Sequence, residues 1–156
     1  MNKLGLKLLV SVVFCMALGA LSGLSTMRGI IEWYPKIAKP SWNPPNEIFG
    51  PVWSLLYALM GIALGLIWHK PKEGKNKVII YFIIQLALNL FWSILFFVFH
   101  EVGWAFLELL LMWIMIFLTI RSFYSINKIA AYLLLPYICW VSFAGILNFT
   151  IWNLGR

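Results

Sequence analysis

The sequence predicts an all-α integral membrane protein: a bundle of five transmembrane helices with a proline- and tryptophan-rich loop that caps a pocket between helices. Of the 156 residues, 63% are hydrophobic and only 11% are charged. A soluble domain cannot bury so much apolar surface, so the lipid bilayer is the expected solvent. The apolar residues fall into five runs, each about as long as the roughly 20 residues that cross the hydrocarbon core. No internal repeat or low-complexity tract divides residues 1–156, so we expect a single membrane domain.

The first predicted helix covers about residues 4–26. Its apolar run could instead be a secretory signal, because Ala20-Leu21-Ser22 resembles a cleavage site. We favour a retained helix, since the run is long enough to span the bilayer. Glycines four residues apart could let two helices approach closely. Two such pairs occur, Gly19 with Gly23 and Gly61 with Gly65.

The capping loop is predicted at about residues 27–45, and residues 33–57 around its second half are rich in proline, tryptophan and tyrosine. Proline removes a backbone donor and restricts φ, so much of this stretch should be extended or turning. Rigid backbone and rigid rings suit a lid over an aromatic pocket. The alternative is a loop that rests on the membrane interface, where Trp and Tyr are common.

The remaining helices are predicted at about residues 46–69, 78–99, 102–122 and 129–152. The second begins either at Asn46 as a cap or at Pro51, a favourable first helical position. Pro136 lies within the last helix and is expected to loosen or kink it.

Lysine and arginine are distributed unequally between the two ends of the predicted bundle. The N-terminal side holds eight of them: Lys3, Lys7, Lys70, Lys72, Lys75, Lys77, Arg121 and Lys128. The other side holds four: Arg28, Lys36, Lys39 and Arg156. Because positive residues are enriched in cytoplasmic segments, we predict a cytoplasmic N-terminus, with the capping loop and the C-terminus outside. This pattern indicates orientation in a membrane, and we expect no nucleic-acid partner.

Three predicted helices carry aromatic or amide side chains at spacings of three or four residues. Residues at these spacings share one side of a helix. Pointed inward, they would outline an aromatic cavity with a few amide groups near its middle; the alternative is interhelical hydrogen bonding and tight packing. The three faces are Phe49, Trp53 and Tyr57; Gln85, Asn89, Trp92 and Phe96; and Tyr137, Trp140, Ala144 and Asn148.

Few residues could support acid–base or metal chemistry. The chain has no aspartate, and His69 and His100 fall at helix ends on opposite predicted membrane faces, so we expect no metal site. Cys15 and Cys139 lie in apolar runs and are interpreted as packing residues. Glu108 could be a proton or cation site, but near an interface it could also reach water; we favour a structural role.

Several motifs resemble those of one protein family. They are Lys39-Pro40-x-Trp42-x-Pro44-Pro45; Phe49-Gly50-Pro51-Val52-Trp53 with Leu56-Tyr57 and Met60-Gly61; Gln85-x-x-x-Asn89-x-x-Trp92-Ser93; and Pro136-Tyr137-x-x-Trp140-x-x-Phe143-Ala144-x-x-Leu147-Asn148. Together they are similar to the motifs of the TspO/MBR family, the tryptophan-rich sensory proteins of bacteria and the mitochondrial translocator protein or peripheral benzodiazepine receptor. The resemblance covers nearly the whole chain. The chain looks like a bacillus-type member of the family, located in the bacterial cell membrane.

The resemblance implies a homodimeric five-helix bundle whose pocket is capped by the loop between helices one and two. It implies protoporphyrin IX and isoquinoline carboxamide or benzodiazepine-type drugs as ligands, with membrane lipid around the bundle. Carried over by motif, the ligand-binding residues would be Tyr34, Trp42, Pro44, Phe49, Trp53, Tyr57, Gln85, Asn89, Trp92, Trp140, Ala144 and Leu147.

The resemblance further implies breakdown of protoporphyrin IX that needs light and molecular oxygen but no other cofactor. The catalytic candidates would be Trp53 and Trp140, acting either in enzymatic turnover or in sensitised photochemistry. The cholesterol pattern of mitochondrial members is an apolar residue, then tyrosine, then a basic residue. Here it is incomplete, because Leu147 is followed two positions later by Phe149 rather than by tyrosine, and Arg156 lies too far along the chain. Sterol binding is therefore not expected.

The predicted function is a membrane receptor for tetrapyrroles and hydrophobic drug-like ligands. A porphyrin is flat and aromatic, so indole rings suit its faces, while Lys36 and Lys39 would attract its propionates. The alternatives are a porphyrin or amphiphile transporter and a stress-regulatory membrane scaffold. The sequence lacks visible inverted repeats, which argues against an active pump.

Overall fold

The computed structural model describes residues 2–156, and within them all regular secondary structure is helical. Five helical segments are long and apolar enough to cross a membrane, which confirms the predicted fold class. Four spans centre on one helix each, and the fifth consists of a short helix followed by a long one. The helices are α1 (Lys3–Arg28), α2 (Phe49–His69), α3 (Lys75–Phe97), α4 (Val102–Tyr124), α5 (Lys128–Leu133) and α6 (Leu135–Leu154).

The first helix is capped by Asn2, whose side-chain oxygen accepts a hydrogen bond from the Gly5 backbone N–H at 2.6 Å. Helical structure does not stop near residue 26, because α1 continues into a π-helical turn (Gly29–Trp33) and a 3-10 turn (Tyr34–Lys36). No proline interrupts the chain before Pro35, so backbone hydrogen bonds can continue to that point. The connection that follows is therefore residues 37–45, shorter than the predicted loop.

The second helix begins after a short 3-10 turn, Asn46–Ile48, and contains Pro51 in its first turn. Proline is tolerated there because the first N–H groups of a helix have no intrahelical partner. Neither starting point proposed from the sequence is met: Asn46 is the first residue of the 3-10 turn rather than a cap, and the α-helix begins at Phe49, two residues before Pro51.

Helices α3 and α4 are joined by a tight turn. The Glu101 backbone N–H donates to the Leu95 carbonyl at 2.9 Å, and His100 has a positive φ of 57°. The imidazole of His100 stacks on the indole of Trp33, with ring centroids 4.1 Å apart. This stack links the end of the first span to the α3–α4 turn.

The last span is interrupted at Leu134, between α5 and α6, two residues before Pro136. Proline cannot donate the hydrogen bond that would continue the helix, so the chain restarts as a new helix. The break lies where the sequence predicted a kink.

The first two helices pack closely through their glycines. Gly61 lies against the backbone of Val12, and Gly65 lies against Leu8. Helix α3 packs on α4, and α4 packs on α6. Between the helices, a core of buried aromatic and aliphatic side chains surrounds a small set of buried polar residues.

Candidate functional site

A cavity of about 310 Å³ lies between α1, α2, α3 and α6, at the end of the bundle that carries the 37–45 loop. Its volume falls at the lower end of the range of small-molecule pockets. Among the described residues that line it, none is an acid, histidine, lysine, arginine or cysteine. The cavity is therefore suited to an apolar ligand rather than to acid–base chemistry.

Eight of the twelve ligand-binding residues suggested by the resemblance line this cavity. They come from the π/3-10 extension of the first span and from α2, α3 and α6, so the fold brings together residues far apart in the chain. These eight are Tyr34, Phe49, Trp53, Tyr57, Trp92, Trp140, Ala144 and Leu147. The other four, Trp42, Pro44, Gln85 and Asn89, lie outside the lining.

Nine aromatic side chains contribute to the cavity wall. The indole of Trp53 lies 6.4 Å from that of Trp92 and 5.9 Å from the ring of Tyr57. The ring centroid of Trp140 lies 6.0 Å from that of Phe49, in an edge-on arrangement. The indole N–H groups of Trp53 and Trp140 donate no hydrogen bond within residues 2–156, and both side chains are half-buried. They present aromatic faces and free donors to whatever occupies the cavity.

Gln85 and Asn89 belong to a buried hydrogen-bond network beneath the cavity. The Tyr57 hydroxyl donates to Asn89 Oδ1 at 2.8 Å, and Asn89 Nδ2 donates to the Tyr137 hydroxyl oxygen at 2.7 Å. The Tyr137 hydroxyl in turn donates to Gln85 Oε1 at 2.7 Å. The two amides thus connect α2, α3 and α6. They match the structural alternative that the sequence left open.

Trp42 and Pro44 lie in the 37–45 loop, behind the residues that line the cavity. Trp42 packs edge-on against Phe143, with ring centroids 5.9 Å apart, and Phe143 itself lines the cavity. Within the described residues, the loop is held by a hydrogen bond from the Tyr34 hydroxyl to Asn43 Oδ1 at 2.7 Å. Lys39 Nζ also donates to the backbone carbonyl of Tyr34 at 2.7 Å. The loop supports the wall from outside.

One face of α1 lines the cavity, although no residue of α1 was among the sequence candidates. The residues on this face repeat at helical spacing and are mostly small, with Gly19, Ala20 and Gly23 at its centre. The glycine pair was the available signal, but it was interpreted as a helix contact. That interpretation holds only for Gly19, where an added Cβ would lie 2.5 Å from the Tyr57 ring.

Glu108 on α4 is more deeply buried than its sequence position suggested. Glu108 is only 7% exposed, and neither of its carboxyl oxygens has a hydrogen-bond partner among the described residues. The expectation that it could reach water is therefore wrong: α4 turns this face toward the bundle interior, together with Leu109 and Met112. It does not line the cavity.

Comparison with known proteins agrees with this architecture. The sequence model of the TspO/MBR family matches residues 11–153. The tryptophan-rich protein TspO of Chlorobaculum tepidum is 41% identical, over 99% of this chain and 99% of that protein. The translocator protein of Homo sapiens is 36% identical, over 88% of this chain and 83% of that protein. The tryptophan-rich sensory protein of Cereibacter sphaeroides is 31% identical, over 91% of this chain and 89% of that protein.

The family match covers most of the residues that build the five spans and the cavity. The relatives align over nearly their whole lengths, so the similarity is not confined to one helix. The chain is an integral membrane protein and belongs to the TspO/MBR family.

Proposed function

We propose that the protein is a membrane receptor that binds protoporphyrin IX and related tetrapyrroles in the cavity described above. Isoquinoline carboxamide or benzodiazepine-type compounds would occupy the same space. The observation that carries the proposal is the wall of indole and phenol rings around an apolar space, built largely from residues that the family resemblance assigns to ligand binding. Such rings favour flat, aromatic ligands through stacked and edge-on contacts.

The charge around the cavity supports an amphiphilic ligand with an anionic end. Lys36 and Lys39 lie at the loop end of the bundle, beside the Tyr34 corner of the cavity. The propionates of a porphyrin would lie near these ammonium groups while its ring enters the apolar space. The described lining carries neither histidine nor cysteine, two of the common axial ligands of haem iron, and the proposed ligand is therefore a metal-free ring.

The same site could support light-dependent breakdown of the bound porphyrin. An excited porphyrin passes its energy to molecular oxygen, and the activated oxygen adds to the macrocycle or to a nearby indole. Trp53 and Trp140 are the indoles proposed to react, because both line the cavity. The protein would confine this reaction to its own pocket.

A transporter is the second candidate, and the polar network weighs against it. Tyr57, Asn89, Tyr137 and Gln85 form continuous hydrogen bonds beneath the cavity. A ligand crossing the bundle would have to break these bonds in an apolar environment. We therefore place the receptor function before transport, and a scaffold role third.

We also propose that the protein is a homodimer, which the resemblance favours, and that its N-terminus is cytoplasmic, which the charge distribution favours.

The test is quenching of tryptophan fluorescence by protoporphyrin IX in detergent, first in the dark and then under illumination. Wild type is compared with Trp53→Phe and Trp140→Phe. Trp104→Phe is the matched control, since Trp104 is 66% exposed on α4 and lies outside the cavity. We expect saturable quenching in wild type and the control, and affinity lowered by about tenfold, or about 1.4 kcal/mol, in the two cavity variants.

The illuminated series separates photochemistry from binding. A bilin-like product that disappears in both cavity variants would support a photochemical role for Trp53 and Trp140. Equal bleaching rates for variants, wild type and free porphyrin would leave a receptor alone. Absence of saturable binding would contradict the receptor proposal, and porphyrin flux into sealed vesicles would then favour the transporter.

A further inference from the structure

We propose that ligands enter and leave the cavity sideways, from the hydrocarbon of the bilayer, through an opening between α1 and α2. The opening, here called the α1–α2 gap, is bordered by Ala20 and Gly23 on α1 and by Gly50 and Ser54 on α2. All four residues line the cavity, and all four are exposed. The inference rests on the proposed binding function, since it concerns how that ligand reaches its site.

The packing register of α1 and α2 locates the gap. At one end of the pair, a Cβ added to Gly61 would lie 2.5 Å from Val12 Cα, and a Cβ added to Gly65 would lie 2.9 Å from Leu8 Cα. The backbones are therefore in close contact there. Counting eleven residues forward from Val12 and eleven back from Gly61 brings Gly23 level with Gly50.

At this second pair of glycines the contact is lost. A Cβ added to Gly23 or to Gly50 would meet no atom within 4 Å, apart from its own neighbours along the chain. The close backbone contact at Gly61 and Gly65 is therefore not repeated at Gly23 and Gly50, although the register places these two residues at the same level. Gly19, one turn before Gly23, still contacts the Tyr57 ring and marks where the gap closes.

The gap lies at a depth where lipid chains surround the protein. Arg28 and Glu32 form an exposed ion pair with a separation of 3.0 Å, which places that turn at the water interface. Gly23 lies five residues before Arg28, or about 7.5 Å further into the membrane at 1.5 Å per residue. Lipid acyl chains, rather than water, would therefore face the opening.

The loop end of the cavity offers a less direct route. The 37–45 loop is tied to Tyr34 by Asn43 and Lys39, and no residue of the loop lines the cavity. Entry there would require breaking these bonds and moving Tyr34, which is almost fully buried. A flat amphiphile already dissolved in the bilayer would reach the α1–α2 gap without crossing water.

The test measures binding rates in lipid nanodiscs mixed with liposomes that contain protoporphyrin IX, by stopped-flow quenching of tryptophan fluorescence. Gly23→Phe should obstruct the gap and slow both association and dissociation by about tenfold or more, equivalent to about 1.4 kcal/mol in the barrier. Slowing of both rates together, rather than faster dissociation alone, is the expected signature of an obstructed route. Leu24→Phe is the control, because Leu24 neighbours Gly23 but faces lipid outside the cavity.

A second variant avoids filling the cavity. Gly23→Cys with Gly50→Cys, in a background of Cys15→Ala and Cys139→Ser, would be bridged by a cleavable bifunctional thiol reagent. Bridging should slow both rates, and cleavage should restore them in the same sample. The single-cysteine variants treated with the same reagent provide the control.

The outcomes separate this inference from the proposed function. Saturable binding with unchanged rates in both the bulky and the bridged variants would overturn the lateral route. Faster binding in Asn43→Ala, combined with unchanged rates in Gly23→Phe, would assign entry to the loop instead. Absence of saturable binding in wild type would contradict the receptor proposal itself, and the entry route with it.

Discussion

Tyr137 joins α6 to two amide side chains of α3 through one hydroxyl group. The hydroxyl oxygen accepts a hydrogen bond from Asn89 and donates one to Gln85, each at 2.7 Å, and Asn89 also binds Tyr57 of α2. Tyr137 is almost fully buried, so no water can replace these partners without opening the bundle. One side chain therefore fixes α3 against α6 below the cavity.

Removal of this hydroxyl should destabilise the bundle. Tyr137→Phe leaves an amide donor and an amide acceptor unpaired in a dry environment, which should cost about 1–3 kcal/mol. The measurement is the free energy of unfolding in mixed detergent micelles, by circular dichroism. Tyr132→Phe on the exposed side of α5 is the control, and an equal effect in both variants would contradict a structural role for the network.

At the scale of helices, the glycines of α1 and α2 have opposite roles. Gly61 and Gly65 allow close packing of the two backbones, whereas Gly23 and Gly50 border a space. The same residue type thus makes a close contact at one end of the helix pair and borders open space at the other. Sequence spacing cannot distinguish the two, because the difference is set by how the helices diverge.

An added methyl group should therefore have opposite effects at the two ends. Gly61→Ala places a Cβ against the Val12 backbone and should destabilise the protein by about 1–3 kcal/mol, the usual cost of overpacking. Gly23→Ala meets no neighbour and should be neutral or stabilising by up to about 1 kcal/mol, since alanine favours helix more than glycine does. Thermal unfolding in detergent measures both, and equal losses would refute the described divergence of α1 and α2.

At the scale of the whole molecule, the cavity occupies one part of the bundle and the rest is closely packed. The cavity occupies the loop end of the bundle, while α3, α4 and α6 pack around fully buried residues such as Met112, Ile116 and Val141. A ligand that binds only the folded protein should stabilise the whole bundle, by about 2.7 kcal/mol when present at 100 times its dissociation constant.

Filling the cavity should remove this effect without unfolding the protein. Ala144→Phe projects a ring into the empty space, so protoporphyrin IX affinity should fall at least about tenfold. Stability without ligand should stay close to that of wild type. Ala105→Phe, at a fully buried position on α4, should instead lose about 1–3 kcal/mol from overpacking. Thermal unfolding with and without porphyrin measures all three proteins, and retained ligand stabilisation in Ala144→Phe would contradict this location of the site.

The membrane architecture could be predicted from the sequence because hydrophobic run length and proline position act locally. Runs near 20 residues specify spanning helices. The interruption of the last helix near Pro136 follows from one missing backbone N–H group. The end of the first span could not be predicted so well. Its helical turns continue to Lys36. Within these turns, Gly29 packs against the backbone of Phe97, which is distant in the sequence.

The sequence by itself determined the number of membrane helices and the aromatic faces that meet around the cavity, since helical periodicity assigns residues such as Trp53 and Trp140 to defined sides. Tertiary structure alone decided which polar groups bind one another and where two helices part. Gln85 and Asn89 share a face with Trp92, yet they contact tyrosines of other helices below the cavity. Their neighbours come from distant parts of the chain, and the distances between packed helices depend on every side chain between them.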